Sequence, residues 1–189
     1  MRLISTTVLA LGFALPALAD DITPRLEAAL AAQAAGDLKT LTAEIAAATA
    51  AVNAERGKRL EALLPAAPEG MTQTLQADYM ANLAIMGGGT GAEAGYATED
   101  GSGYATVTYN VDTPLLSGMM AAFSTPEMMA LMGPQVELNG LSFIDQTTAM
   151  TALVDGRLMV TVNGSDPETI RKLAEAIDGA ALIAFDAPR

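Results

Sequence analysis

Residues Tyr104–Val111, YATVTYNV, alternate without a break: Ala105, Val107, Tyr109 and Val111 fall on one face, Tyr104, Thr106, Thr108 and Asn110 on the other. A period of two with one apolar and one polar face specifies a half-buried antiparallel strand. A slip of one residue would turn the whole apolar set to water. Two dipeptides downstream extend the constraint. Asn139-Gly140 and Asp155-Gly156 each sit between apolar runs, and both suit the tight hairpin turn that needs positive φ at its two central residues. They predict strands near Val136–Leu138, Leu141–Ile144, Thr148–Val154 and Arg157–Val162. Glu99-Asp100-Gly101 reads as the turn that joins Tyr104–Val111 to a short strand near Tyr96. An antiparallel sheet is the minimum this section can form.

Short helices are expected around those strands. Thr113-Pro114 and Thr125-Pro126 each place a capping residue before proline at the first helical position. Ser165 and Glu168 have capping-box spacing ahead of Ile170, Leu173, Ala174 and Ile177, with Gly179 as the stop. Ala180–Phe185 then reads as an apolar closing strand.

Upstream, residues 20–64 read as a helical hairpin. Thr23-Pro24 opens one helix, Gly36 stops it, and Asp37 caps a second with Leu38, Leu41, Ile45, Ala48 and Val52 three and four apart. Its seam resumes at Leu60, Leu63 and Leu64 before Pro65. The Gly36-Asp37-Leu38 turn resembles half of a tetratricopeptide repeat, but no second copy follows at that period. Residues 65–70, PAAPEG, form a linker, and 71–189 the α+β domain. The fold class expected is therefore α+β: an N-terminal helical hairpin, then an antiparallel sheet covered by short helices.

The first nineteen residues stand apart. Arg2 precedes an apolar run from Val8 to Leu15, Pro16 breaks it, and Ala17-Leu18-Ala19 is the small-x-small pattern of a signal peptidase site. Cleavage after Ala19 and a periplasmic location are expected. Without residues 1–19 the chain loses Arg2 and no acid, so its net charge of −12 becomes −13. Nucleic acid and anionic lipid are poor partners for such a surface.

Missing residue types limit the chemistry. The chain has no His and no Cys, which removes Ser-His-Asp and Cys-His nucleophile systems, His-ligated metals, thiolates and disulfides. Lys39, Lys58 and Lys172 are the only lysines, and none lies in a Ser-x-x-Lys motif. Paired carboxylates could still support a hydrolase, but with no Trp, four Tyr and four Phe a sugar-stacking cleft is poorly supplied. Gly87-Gly88-Gly89-Thr90-Gly91 lacks the Lys-Ser/Thr of a P-loop, and Glu99–Gly103 lacks the spaced acids of an EF-hand. No enzymatic activity is expected.

The methionines remain. Met119, Met120, Met128, Met129 and Met132 crowd the stretch MMAAFSTPEMMALM around Phe123. Thioethers fill cores and adaptable apolar contact surfaces, so Met119, Met120, Phe123, Met128, Met129 and Met132 form the candidate face for a protein partner or apolar ligand. The alternative is a Cu(I) site of Met119, Met128 and Met132, since soft sulfur selects Cu(I).

The runs GDLKTLTAEI, LEALLPAAPEG, GYATVTYNVDTPLLSGMM and VNGSDPETIRKLAEAIDGAAL resemble a group of small exported bacterial proteins of unknown function. That resemblance implies a bacterial, periplasmic setting and supplies no catalytic motif. At the level of fold, the order of elements is similar to the Mog1/PsbP-like α+β sandwiches, which by itself implies no function.

Overall fold

The computed structural model describes residues 22–85, 87–114 and 126–188, with the side chains of residues 126–128 left aside. Its fold is α+β: two N-terminal helices, then a seven-stranded antiparallel sheet with short helices. Compact packing divides the chain between Ala51 and Val52, inside the second helix.

The first unit holds α1 (Ile22–Ala35) and the start of α2 (Leu38–Glu61). Asp37 caps α2 as its position predicts, accepting from the Thr40 N–H at 3.0 Å and the Thr40 hydroxyl at 2.7 Å. Those two bonds hold its carboxyl below the usual carboxylate range. Among the described residues of this unit Ala29, Ala32 and Ala48 are buried, while Leu26, Leu30, Leu38 and Ile45 stay exposed. The expected seam is thus divided: its small residues are buried and most of its large ones face water.

The second unit is built on β1 (Met71–Leu75), β2 (Thr90–Thr98), β3 (Tyr104–Val111), β4 (Gln135–Leu138), β5 (Leu141–Asp145), β6 (Ala149–Val154) and β7 (Leu158–Gly164), in the order β1-β2-β3-β7-β6-β5-β4. Asn139 and Gly140 have φ of 47° and 79°, Asp155 and Gly156 of 49° and 66°, so both dipeptides make the mirror-image turns that match strand twist. The alternation of β3 sets two faces. Inward are Ala105, Val107, Tyr109 and Val111, and the register places Val162, Val160 and Leu158 of β7 opposite the last three. Met150, Ala152, Val154 and Phe143 continue that face. Leu60 of α2, Ile170 and Leu173 of α5 (Pro167–Glu175), and Leu182 of α6 (Gly179–Ile183) share the core with it.

Pro65 ends α2 region helicity, leaving carbonyls without an intrahelical donor. Core tyrosines supply it: the Tyr96 hydroxyl donates to the Pro65 carbonyl at 2.7 Å and that of Tyr109 to Leu63 at 3.1 Å. The linker region thereby packs on the sheet, with Leu63, Leu64 and Ala67 against the core.

Three expectations change. Ala180–Phe185 is not a strand: Gly179–Ile183 is the helix α6, because Asp178 caps it by accepting from the Ala181 N–H at 2.9 Å. The cap of α5 is Asp166 rather than Ser165; Asp166 accepts from the Thr169 N–H at 2.8 Å. Ser165 instead accepts from the Tyr104 N–H at 3.1 Å and ties the end of β7 to β3. Finally, β1 and α3 (Tyr79–Ile85) precede β2, two elements that no sequence pattern predicts.

Candidate binding groove on the outer sheet face

The outward residues of the sheet form rows across the strands. The longest runs Glu93, Thr108, Thr161, Thr151, Ile144 and Gln135, each directly opposite the next. Thr108 donates to the Glu93 carboxylate at 2.9 Å. The neighbouring row places Leu153 opposite Met159, and Ser142 opposite Glu137. The outer face is thus polar over β3 and β7 and partly apolar over β5 and β6.

Over that apolar end lies α4 (Pro126–Met132), which opens with proline as the sequence predicts. Gly133 fixes where it ends. Its φ is +148°, and a Cβ there would lie 2.5 Å from the Asp145 carbonyl oxygen, so only glycine lets the chain turn this close to β5. The Asp145 N–H donates to the Pro134 carbonyl at 2.9 Å, and the Gln146 amide to that of Met132 at 3.3 Å. These contacts hold the C-terminal end of α4 against the sheet.

A groove of about 240 Å³ follows, lined by Met129, Gln135, Ser142, Ile144, Thr151 and Leu153. Ile144 is buried yet lies outside the main core cluster, as its outward register requires. Met129, Ile144 and Leu153 supply its apolar surface, with Ile144 between Thr151 and Gln135 on the sheet. Gln135, Ser142 and Thr151 supply neutral donors and acceptors. No ionisable side chain lines it among the described residues. The volume falls below the ~300–1,000 Å³ typical of pockets for drug-sized ligands and cofactors. It suits one apolar side chain or a fragment of that size.

Of the predicted methionine face, only Met129 and Met132 have described side chains. Met129 lines the groove, and Met132 is half-buried at the end of α4. Met128 lies on α4 four residues before Met132, with its side chain outside the description, as are Met119, Met120 and Phe123 entirely. Leu131, on the same helix, is 82% exposed. Among the described residues no group of three or more Asp or Glu is placed to hold a metal ion.

A second concavity, about 300 Å³, lies at the start of α5 between Asp145, Thr147, Met150, Pro167, Glu168, Ile170 and Arg171. Two acids, Asp145 and Glu168, are among its lining residues. Asp145 accepts from the Thr147 N–H at 3.0 Å, and Glu168 pairs with Lys172 at 2.7 Å while remaining 74% exposed. Both carboxylates have local partners, and neither is held in the dry setting that prepares a catalytic acid.

Sequence reasoning missed a cluster of four charges at one end of the sheet. Arg56 of α2 reaches Asp112 at 2.8 Å and Asp186 at 3.2 Å, and Arg157 reaches the same acids at 2.6 and 3.0 Å. The Arg56 guanidinium also sits 5.5 Å from the centre of the Phe185 ring. Arg157 above all, with Arg56, holds the Asp112 carboxyl below its ordinary range. Two positive and two negative groups pair with one another, and the cluster joins Asp186 to β3, β7 and α2. Asp112, at φ 53° just beyond β3, was the one local sign of it.

No protein-family model, curated protein or solved structure matches the chain. Among the described residues no helix is long and apolar enough to cross a membrane.

Proposed function

We propose that this chain is an exported, non-enzymatic binding module of the bacterial periplasm, and that the groove beside α4 takes an uncharged apolar side chain of an envelope partner. The observation that carries the reading is the lining itself. Three apolar side chains are interspersed with three neutral polar ones, Gln135, Ser142 and Thr151, which make no side-chain hydrogen bond among the described residues. Such a lining accepts an apolar group flanked by peptide amides and disfavours a charged one, which would lose water and meet no counter-charge. Met129 adapts the lining to the guest, because an unbranched thioether repacks readily. Export rests on the Arg2, Val8–Leu15 and Ala17-Leu18-Ala19 pattern.

The test uses blocked amino-acid amides as probes. N-acetyl-leucine amide should shift the Met129 methyl resonance saturably, with a Kd on the order of 1 mM for a ligand of this size. The blocked aspartate and lysine amides should not. Ser142→Trp, which fills the groove from an exposed position, should abolish the shift without changing the melting temperature. Equal response to all three probes, or a response that survives Ser142→Trp, would refute the assignment.

A further inference from the structure

The two edges of the sheet are protected very differently. At one edge, β4 is four residues long, carries Glu137 and follows Pro134, which are the usual defences against edge-to-edge pairing. At the other, β1 is MTQTL, with no charge and no proline, and Thr72, Gln73, Thr74 and Leu75 are all exposed. Leu75 is a large apolar residue left 50% exposed on that edge.

The main chain of β1 is also correctly aimed. The Gln76 N–H donates to Glu93 at 2.9 Å, and the register pairs Thr74 with Gly95 and Thr72 with Ala97. Hydrogen-bonded pairs alternate along an antiparallel ladder, so residues 72, 74 and 76 direct their main-chain groups to β2. Those of Met71, Gln73 and Leu75 point away from it. The Met71 N–H is already taken by the Pro68 carbonyl at 3.1 Å. The free outward groups are the N–H and C=O of Gln73 and Leu75 and the C=O of Met71.

The geometry points to a second copy of this chain as the partner of that edge, joined β1 to β1 about a two-fold axis through Gln73. The strand is self-complementary about that residue: Met71 meets Leu75 of the other copy, Thr72 meets Thr74, and Gln73 meets Gln73. Gln73 N–H donates to Gln73 C=O reciprocally, and Leu75 N–H to Met71 C=O reciprocally. The Met71 N–H is held by Pro68 and does not reach the Leu75 C=O opposite it, so the pairing makes four main-chain bonds and leaves each Leu75 C=O to water. Apolar pairs lie on the inner face and hydroxyl pairs on the outer. The net charge of −12 on each copy opposes association, so added salt strengthens the dimer by screening.

Sedimentation equilibrium across a concentration series, with two charge-swap variants, tests both the edge and the register. Wild type should form dimers that tighten with salt. Thr72→Lys/Thr74→Lys places lysine opposite lysine twice and should weaken the dimer by about tenfold or more, although it lowers the net negative charge. Thr72→Glu/Thr74→Glu should do the same, and an equimolar mixture of the two should restore a heterodimer. A wild type that is monomeric throughout, variants that dimerise undiminished, or a mixture that stays monomeric would each overturn the proposal. Should a variant fold poorly, amide exchange on the wild type decides: Gln73 and Leu75 must exchange more slowly as concentration rises, and concentration-independent exchange refutes the pairing.

Discussion

Leu60→Ala and Leu38→Ala remove the same atoms from the two ends of α2, from positions that look alike in the apolar seam, yet the structure assigns them opposite costs. Leu60 is 0% exposed within the cluster that includes the inward sheet residues, whereas Leu38 is 72% exposed at the helix start. Truncating a fully buried leucine loses its transfer free energy and leaves a cavity, together about 3–5 kcal/mol. Truncating an exposed one loses almost no burial, and alanine favours helix slightly, so the change stays within about 0.5 kcal/mol. Against a total stability of about 5–15 kcal/mol, the first is a large fraction and the second is near the noise. The readout is favourable: the chain has no Trp, and its four tyrosines, Tyr79, Tyr96, Tyr104 and Tyr109, all lie in the sheet-bearing unit. Urea unfolding followed by tyrosine fluorescence therefore reports the unit to which Leu60 belongs. A cost below about 1 kcal/mol for Leu60→Ala, or equal costs for both variants, would refute the packing described.

Three further outcomes are expected. Burial pushes the Tyr79 and Tyr96 phenols up to about 12 and Tyr109 higher still, so the folded state keeps protons that the unfolded chain releases above about pH 10. Stability from these groups is full below that pH and declines as pH rises towards 12; urea midpoints flat between pH 9 and 12 would contradict it. Gly133→Ala forces a Cβ against a backbone oxygen, which should cost roughly 1–3 kcal/mol and weaken leucine-amide binding by displacing α4. Wild-type stability and binding in that variant would show that α4 is not held this way. Ala19→Arg should leave unprocessed precursor in cells, whereas wild type should begin at Asp20; N-terminal sequencing that finds Met1 on the wild-type product would remove the export reading.

What the sequence disclosed, and what it did not, follows the range of the forces involved. The hairpins at Asn139-Gly140 and Asp155-Gly156 were legible because turn chemistry is local and nearly decides the backbone. The strand β3 was legible because one face is buried and the other is not. By contrast, β1 is an edge strand, so MTQTL carries no strong apolar face to announce it. The run AALIAF is short and apolar in any period, and the helix α6 was decided by the Asp178 cap before it. The groove was not legible as a unit, because Gln135, Ser142, Ile144, Thr151 and Leu153 meet Met129 only through strand register and the packing of α4. Arg56, Asp112, Arg157 and Asp186 converge only after the sheet is assembled, and no spacing among them could have shown it.

The central claim is that an apolar side chain enters beside α4, and nuclear Overhauser contacts from a bound probe test it most directly. With N-acetyl-leucine amide at saturation, contacts should run from the leucine methyls to the methyls of Met129, Ile144 and Leu153, the apolar residues that line the groove. The methyl of Met150, 2% exposed on the inner face, should show none. Contacts to the first three without Met150 are the predicted result; contacts elsewhere on the protein, with the groove methyls silent, would contradict the account.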